Sequence, residues 1–192
     1  MDHAGGTKEL AEMHEGKLKI YGGDNRIAAL TDKLGKLNIE CLHTPCHTSG
    51  HICYYVTREN QKVVFTGDTL FIAGCGRFFE GTAEQMDTAL NGELAKLPSD
   101  TKVFCGHEYT VDDLKFAKAV EPSNVKVTEK LEWAMKQRSK NLPTIPSTIQ
   151  EELQTNPFMR VRCSKELQEA SGSSNPTEVM AALRERKNAS RY

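Results

Sequence analysis

Thr44-Pro45-Cys46-His47-Thr48-Ser49-Gly50-His51 places two histidines four residues apart on a segment broken by proline and glycine. A helix would set such a pair on one face. Proline and glycine favour instead a loop leaving a strand. Leu37 to Leu42 reads as the strand before it, and the apolar run from Ile52 to Thr57 as the strand after it. His51 is therefore expected where the loop enters a strand, with its ring free to face a site. There it could be a metal ligand, a general base or a surface residue.

Outward from this loop the pattern alternates. Arg58-Glu59-Asn60-Gln61 reads as a hairpin turn, and Lys62 to Phe65 as the returning strand. A glycine- and aromatic-rich loop runs from Ala73 to Gly81. Thr82 is placed to cap a helix reaching about Leu97. Thr101 to Cys105 is a strand ending in Gly106-His107-Glu108-Tyr109. Upstream, the spacing predicts a helix from Thr7 to His14, a strand from Lys17 to Tyr21 and a helix from Asn25 to Thr31.

After Tyr109 the strand signals stop. Helices are predicted over Val111–Val120, Val127–Lys140, Ile149–Gln154 (capped by Ser147-Thr148), Ser164–Ala170 and Thr177–Lys187. Phe116, Leu131 and Trp133 are expected in their core. Mixed α/β followed by all-α predicts two domains, 1–109 and 110–192.

Bulk properties exclude several classes. The 192 residues carry 25 basic and 26 acidic side chains, a formal charge of −1. That gives no global electrostatic case for nucleic acid or an anionic membrane. No apolar run approaches the ~20 residues of a spanning helix. No signal peptide is evident at Met1, so reduced thiols and a cytoplasmic location are expected. The six cysteines form no C-x-x-C pair, which argues against a structural zinc knuckle.

Four turns carry side chains suited to chemistry: Asp2-His3, His51, Asp68 and His107, each beside or near glycine. In Gly50-His51, Gly67-Asp68 and Gly106-His107 the same device recurs. Glycine lets the backbone turn, and the next side chain projects into a common cleft. His and Asp are ligand types that borderline-hard divalent metals accept. The set reads as the walls of a metal site or as scattered structural residues.

The segments Asp-His-Ala-Gly-Gly, Thr-Pro-Cys-His-Thr-Ser-Gly-His, Phe-Thr-Gly-Asp-Thr-Leu-Phe and Cys-Gly-His-Glu-Tyr-Thr, in this order, resemble the metallo-β-lactamase fold family. Within it they look like the glyoxalase II group, the hydroxyacylglutathione hydrolases. The likeness continues through Ala73–Thr82 and Asn156-Pro157-Phe158-Met159-Arg160. It implies an α/β fold, the αββα sandwich of the metallo-β-lactamases, incomplete at its N-terminus. An α-helical, glutathione-binding C-terminal domain follows. It implies two divalent metals, zinc or iron. Asp2, His3, Asp68 and His107 would hold one, and His51 and Asp68 the other. Asp68 and His51 are thereby the expected catalytic pair, and His47 is relegated to supporting the loop.

Two further histidines of the family's first motif do not precede Asp2, so the His51 metal is expected to be weakly held and hydrolysis slowed. The resemblance implies that S-(2-hydroxyacyl)glutathione, notably S-D-lactoylglutathione, is hydrolysed by metal-activated hydroxide. Arg77, Phe78, Phe79, His107, Glu108, Tyr109, Arg184 and Lys187 would bind this substrate. The expected partner is that small thioester, with no nucleic acid and no membrane, on a monomer. A cytoplasmic location is expected, or the mitochondrial matrix for a longer form. Competing readings are an inactive glutathione- or metal-binding homologue and a persulfide dioxygenase-like member of the fold.

Overall fold

A computed structural model describes residues 7–15, 17, 21–22, 32–33 and 37–189. Two compact units divide at Asn38 and Ile39. In the first, α1 is Thr7–Met13, and β1 (Tyr21–Gly22) pairs in parallel with β2 (Asp32–Lys33). The helix expected over residues 25–31 lies outside the described residues, as do Asp2 and His3.

The second unit is built on a five-stranded sheet. Its strands are β3 (Asn38–His43), β4 (Ile52–Arg58), β5 (Gln61–Gly67), β8 (Lys102–Cys105) and β9 (Ser147–Thr148), side by side in that order. Two short strands, β6 (Leu70–Phe71) and β7 (Gly74–Cys75), form a hairpin of their own. The β4–β5 hairpin is antiparallel, with Tyr54 opposite Phe65 and Arg58 opposite Gln61, as the alternation and the Glu59-Asn60 turn predict. β5 then runs parallel to β8, which brings the C-terminal ends of both strands, Gly67-Asp68 and Gly106-His107, to one edge. The Gly106 N–H donates to Gly67 O at 2.8 Å and ties those two turns together.

The described residues form seven α-helices, with α2 at Ala83–Asp87, α3 at Thr110–Val120, α4 at Val125–Arg138, α5 at Ile149–Thr155, α6 at Lys165–Ser171 and α7 at Pro176–Ala189. Thr82 caps α2 through a reciprocal capping box with Gln85, and Thr148 caps α5 with Glu151. The single helix expected from Thr82 to Leu97 is not uniform. Thr88–Glu93 widens to a π-helical stretch and Leu94–Lys96 tightens to a 3-10 turn. Gly92 weakens the α-helix there. Asn91 is held by a local bond to Asp87 Oδ1 and a tertiary one to Phe158 O.

Strand structure does not stop at Tyr109. β9 joins the sheet antiparallel to β8, with Ser147 opposite Val103. Two residues are too few for alternation to show, and Thr148 serves the helix cap as well. The core crosses the expected boundary too. Cys53, Val64 and Val103 of the strands cluster with Phe116, Phe158, Val179 and Leu183. Phe116 is buried and Leu131 packs on a second cluster, but Trp133 is 42% exposed and is not a core residue.

Candidate functional site

The Thr44–His51 loop is closed by the Thr44 N–H donating to His51 O at 3.0 Å, and is pinned at its crest by the Ser49 N–H donating to Glu80 Oε2. This fold separates its two histidines by function. The His47 Nδ1–H donates to Arg77 O at 2.9 Å, because a carbonyl can only accept. With Nδ1 committed to that carbonyl, Nε2 is the nitrogen that faces Asp68, 3.4 Å from its Oδ2. His107 Nε2 lies at the same 3.4 Å from the same oxygen.

His51 is turned elsewhere. Its Nδ1 meets Thr44 Oγ1 and Thr69 Oγ1, each at 2.9 Å. Its Nε2 accepts the Asp68 backbone N–H at 3.3 Å. Both nitrogens are occupied within the protein, and burial is the main cause holding its pKa below the ordinary histidine value, against the pull of Asp68. The expected ligand His51 thus supports the Asp68 turn, while His47 faces the carboxylate. His47 lies within the loop, whereas His51 is its last residue before β4.

Glycine plays a different part at each turn. Gly67 has φ +47, and a Cβ there would fall 2.7 Å from His51 Nε2. At Gly106 the reason is space, since a Cβ would meet Asp68 Oδ1 at 2.4 Å. Nothing lies near Gly50, so the device expected at Gly50-His51 is not used there.

The donor geometry can be tested against a divalent metal. Zinc held by nitrogen and oxygen at ~2.0–2.1 Å in a tetrahedron separates its ligands by about 3.3–3.4 Å. Each His–Asp68 separation matches such an edge, and is long for an N–H···O bond. The two pairs share Asp68 Oδ2. Neither pair is complete by itself: among the described residues no group of three His, Cys, Asp or Glu could hold one ion. Asp2 and His3, the other expected ligands, lie outside the described residues. The three described side chains, two imidazoles and a carboxylate, are of the donor types that zinc or iron accepts.

His47, Asp68 and His107 open on a cavity of about 650 Å³ that is also lined by Phe71, Arg77, Phe79, Tyr109, Arg184 and Lys187. Tyr109 stacks on His107 with ring centroids 5.0 Å apart, and Phe71 meets Tyr109 edge-on. Phe79, 68% exposed, leans on His47 at 4.9 Å. Arg184 is buried, donating from Nη1 to Cys75 O and lying over the Phe158 ring.

Two of the expected substrate contacts are not on this cavity. Phe78 packs against the core. Glu108 accepts the Thr144 N–H and hydroxyl instead, and so ties the His107 turn to the segment before β9. The thiols near the site are not nucleophiles. Burial pushes Cys46 and Cys105 up to about 11 and Cys75 to about 12.

The comparisons with known proteins agree with this architecture. Residues 40–107 match the metallo-beta-lactamase superfamily and residues 108–190 the hydroxyacylglutathione hydrolase C-terminus. The chain is 52% identical to a protein named hydroxyacylglutathione hydrolase cytoplasmic from Arabidopsis thaliana, over 97% of this chain and 76% of that one. It is 49% identical to a hydroxyacylglutathione hydrolase-like protein from Gallus gallus, over 97% and 69%. It is 48% identical to a probable hydroxyacylglutathione hydrolase from Schistosoma mansoni, over 97% and 84%. With half of its residues shared across nearly its whole length, and with both halves matched in order, this chain belongs to the hydroxyacylglutathione hydrolase family, on a metallo-β-lactamase fold that binds divalent metal.

Proposed function

We propose that the protein hydrolyses the thioester of S-(2-hydroxyacyl)glutathione, S-D-lactoylglutathione in particular, to glutathione and a 2-hydroxy acid. The observation that carries this reading is the pair of imidazole nitrogens, from His47 and His107, each 3.4 Å from Asp68 Oδ2 on a cavity also lined by Arg77, Arg184 and Lys187. His47, Asp68 and His107 would hold two zinc or iron ions, joined by Asp2 and His3. This replaces His51 by His47 as ligand and leaves His51 to fix the Asp68 backbone. Such metals supply Lewis acidity, polarising the thioester carbonyl and lowering the pKa of water.

The chain's own residues do the rest. Glutathione carries two carboxylates, and the cavity offers three cationic side chains to receive them. The stacked His107 and Tyr109 rings, with Phe71 edge-on to both, give the acyl end an aromatic wall. The departing thiolate comes from a thiol of pKa ~8.5, so no strong general acid has to accompany it. Membership of the family and the name of the Arabidopsis relative support a cytoplasmic site of action. Among the described residues no helix is long and apolar enough to cross a membrane.

The test is hydrolysis of S-D-lactoylglutathione by the purified protein, with metal content measured on the same sample. Metal-dependent turnover abolished by a chelator is expected. A metal-loaded, folded protein with no turnover would instead favour a binding protein that lacks catalysis.

A further inference from the structure

One wall of the cavity holds a carboxylate that the reaction does not require. Asp113, on the first turn of α3, is buried, and its Oδ1 lies 2.9 Å from Lys187 Nζ on α7. Lys187 Nζ also donates to Asp112 O at 3.0 Å. Asp113 Oδ2 is buried without a hydrogen-bond partner among the described residues. It is seated against Gly74, where a Cβ would stand 2.3 Å from it. That oxygen cannot be reached by a ligand, so Asp113 does not bind substrate directly. Its ion pair is with one of the three cations lining the cavity. Desolvation by burial raises its pKa to about 6, so at neutral pH the carboxylate is charged.

Resting on the thioester hydrolase reading, we propose that Asp113 is a positioning residue that fixes Lys187 in the cavity wall and offsets its charge, and so limits the affinity for the glutathione carboxylates. The physical need follows from the reaction. Substrate and product share the same glutathione carboxylates, so the cations hold both alike. Such uniform binding lowers KM without raising kcat, and it retains the product. A fixed counter-charge at Lys187 weakens both by the same factor.

The experiment compares wild type with Asp113→Asn, which keeps an acceptor for Lys187 and removes the charge. Calorimetry with glutathione is expected to show binding about 5- to 20-fold tighter in the variant. KM and the glutathione inhibition constant should fall by the same factor, without a rise in kcat. Glutathione diethyl ester, which lacks both carboxylates, should bind the two proteins equally. Asp113→Ala also deletes the acceptor and should fall between them, and it carries the charge test if the Asn protein does not fold. A variant that binds glutathione no more tightly than wild type overturns the proposal. NMR titration of the Asp113 carboxyl is read independently of any ligand. Lys187 holds that pKa down against the burial, so Lys187→Met should raise it by about one unit or more. An unchanged value overturns the proposal as well. Metal-loaded wild type that neither turns over S-D-lactoylglutathione nor binds glutathione, while the Asp113 carboxyl responds as stated, would remove the hydrolase reading and leave the ion-pair relation standing.

Discussion

His47 presents Nε2 to Asp68 Oδ2 at 3.4 Å because its other nitrogen is spent on Arg77 O. One hydrogen bond to a carbonyl thus decides which of two neighbouring histidines is available to a metal. His51, four residues on, has its Nδ1 on two threonine hydroxyls and its Nε2 on a backbone N–H. A ligand ordinarily has one nitrogen held by the protein and the other open. Only His47 of the two meets that condition.

Replacing His47 by alanine should therefore cost far more metal than replacing His51. His47→Ala is expected to lower the affinity for one of two zinc ions by more than about 100-fold. His51→Ala, which removes support for the Asp68 turn, should cost about 10- to 100-fold in affinity or rate. Metal content after dialysis against graded chelator measures both. The reverse order would restore His51 as the ligand.

The glycines give a second contrast. Gly67→Ala meets φ +47 and a clash with His51 Nε2, so it should destabilise by about 1–2 kcal/mol and displace Asp68. Gly50→Ala enters open space and should stay within about 0.5 kcal/mol. Urea titration of both variants checks this, and equal losses would show that the shared Gly-X pattern has one cause after all.

Much of this was legible in the sequence, and its failures share a cause. The β4–β5 hairpin, the Thr82 and Thr148 caps and the turns at Asp68 and His107 are local matters of alternation and capping, which sequence expresses directly. The choice between His47 and His51 was not local. It depends on Arg77 O, thirty residues away, and on Thr69. β9 exists only because Lys102 and Val103 offer it an edge. Glu108 was expected to face substrate from its place beside His107, yet Thr144 claims it. Trp133 sits among apolar helical positions, yet the stripe that α4 buries is centred on Val127 and Ala134.

Asn156 shows how the two expected domains are joined. Its Nδ2 donates toward Phe71 O, Gly74 O and Glu152 Oε2, and its Oδ1 accepts the Phe158 N–H, all out of contact with water. Asn156→Ala takes a hydrogen bond from two carbonyls, the Glu152 carboxylate and the Phe158 N–H in a buried site, where each unmade bond costs about 1–3 kcal/mol before relaxation. A loss of about 3–4 kcal/mol is expected. The β6–β7 hairpin forms part of the cavity wall, so turnover at saturating metal should fall along with stability. A variant as stable as wild type in urea would show that the hairpin is held by other contacts.

Asp113 gives the protein a pH-dependent stability of defined sign. Burial raises its pKa to about 6 in the folded protein, against ~3.9 unfolded. Between those values the folded state binds more protons than the unfolded one, so the slope of stability against pH is negative there. Stability from this group is fully present below about pH 4 and is lost as pH rises through about 6, by roughly 2–3 kcal/mol. Asp113→Asn has no proton to lose. Its stability relative to wild type should therefore increase by roughly that amount between about pH 4 and pH 7.5, with most of the change complete by about pH 7. Urea unfolding of both proteins across that range measures the difference. A gap that is flat with pH would mean that the Lys187 ion pair fully offsets the burial of the charge.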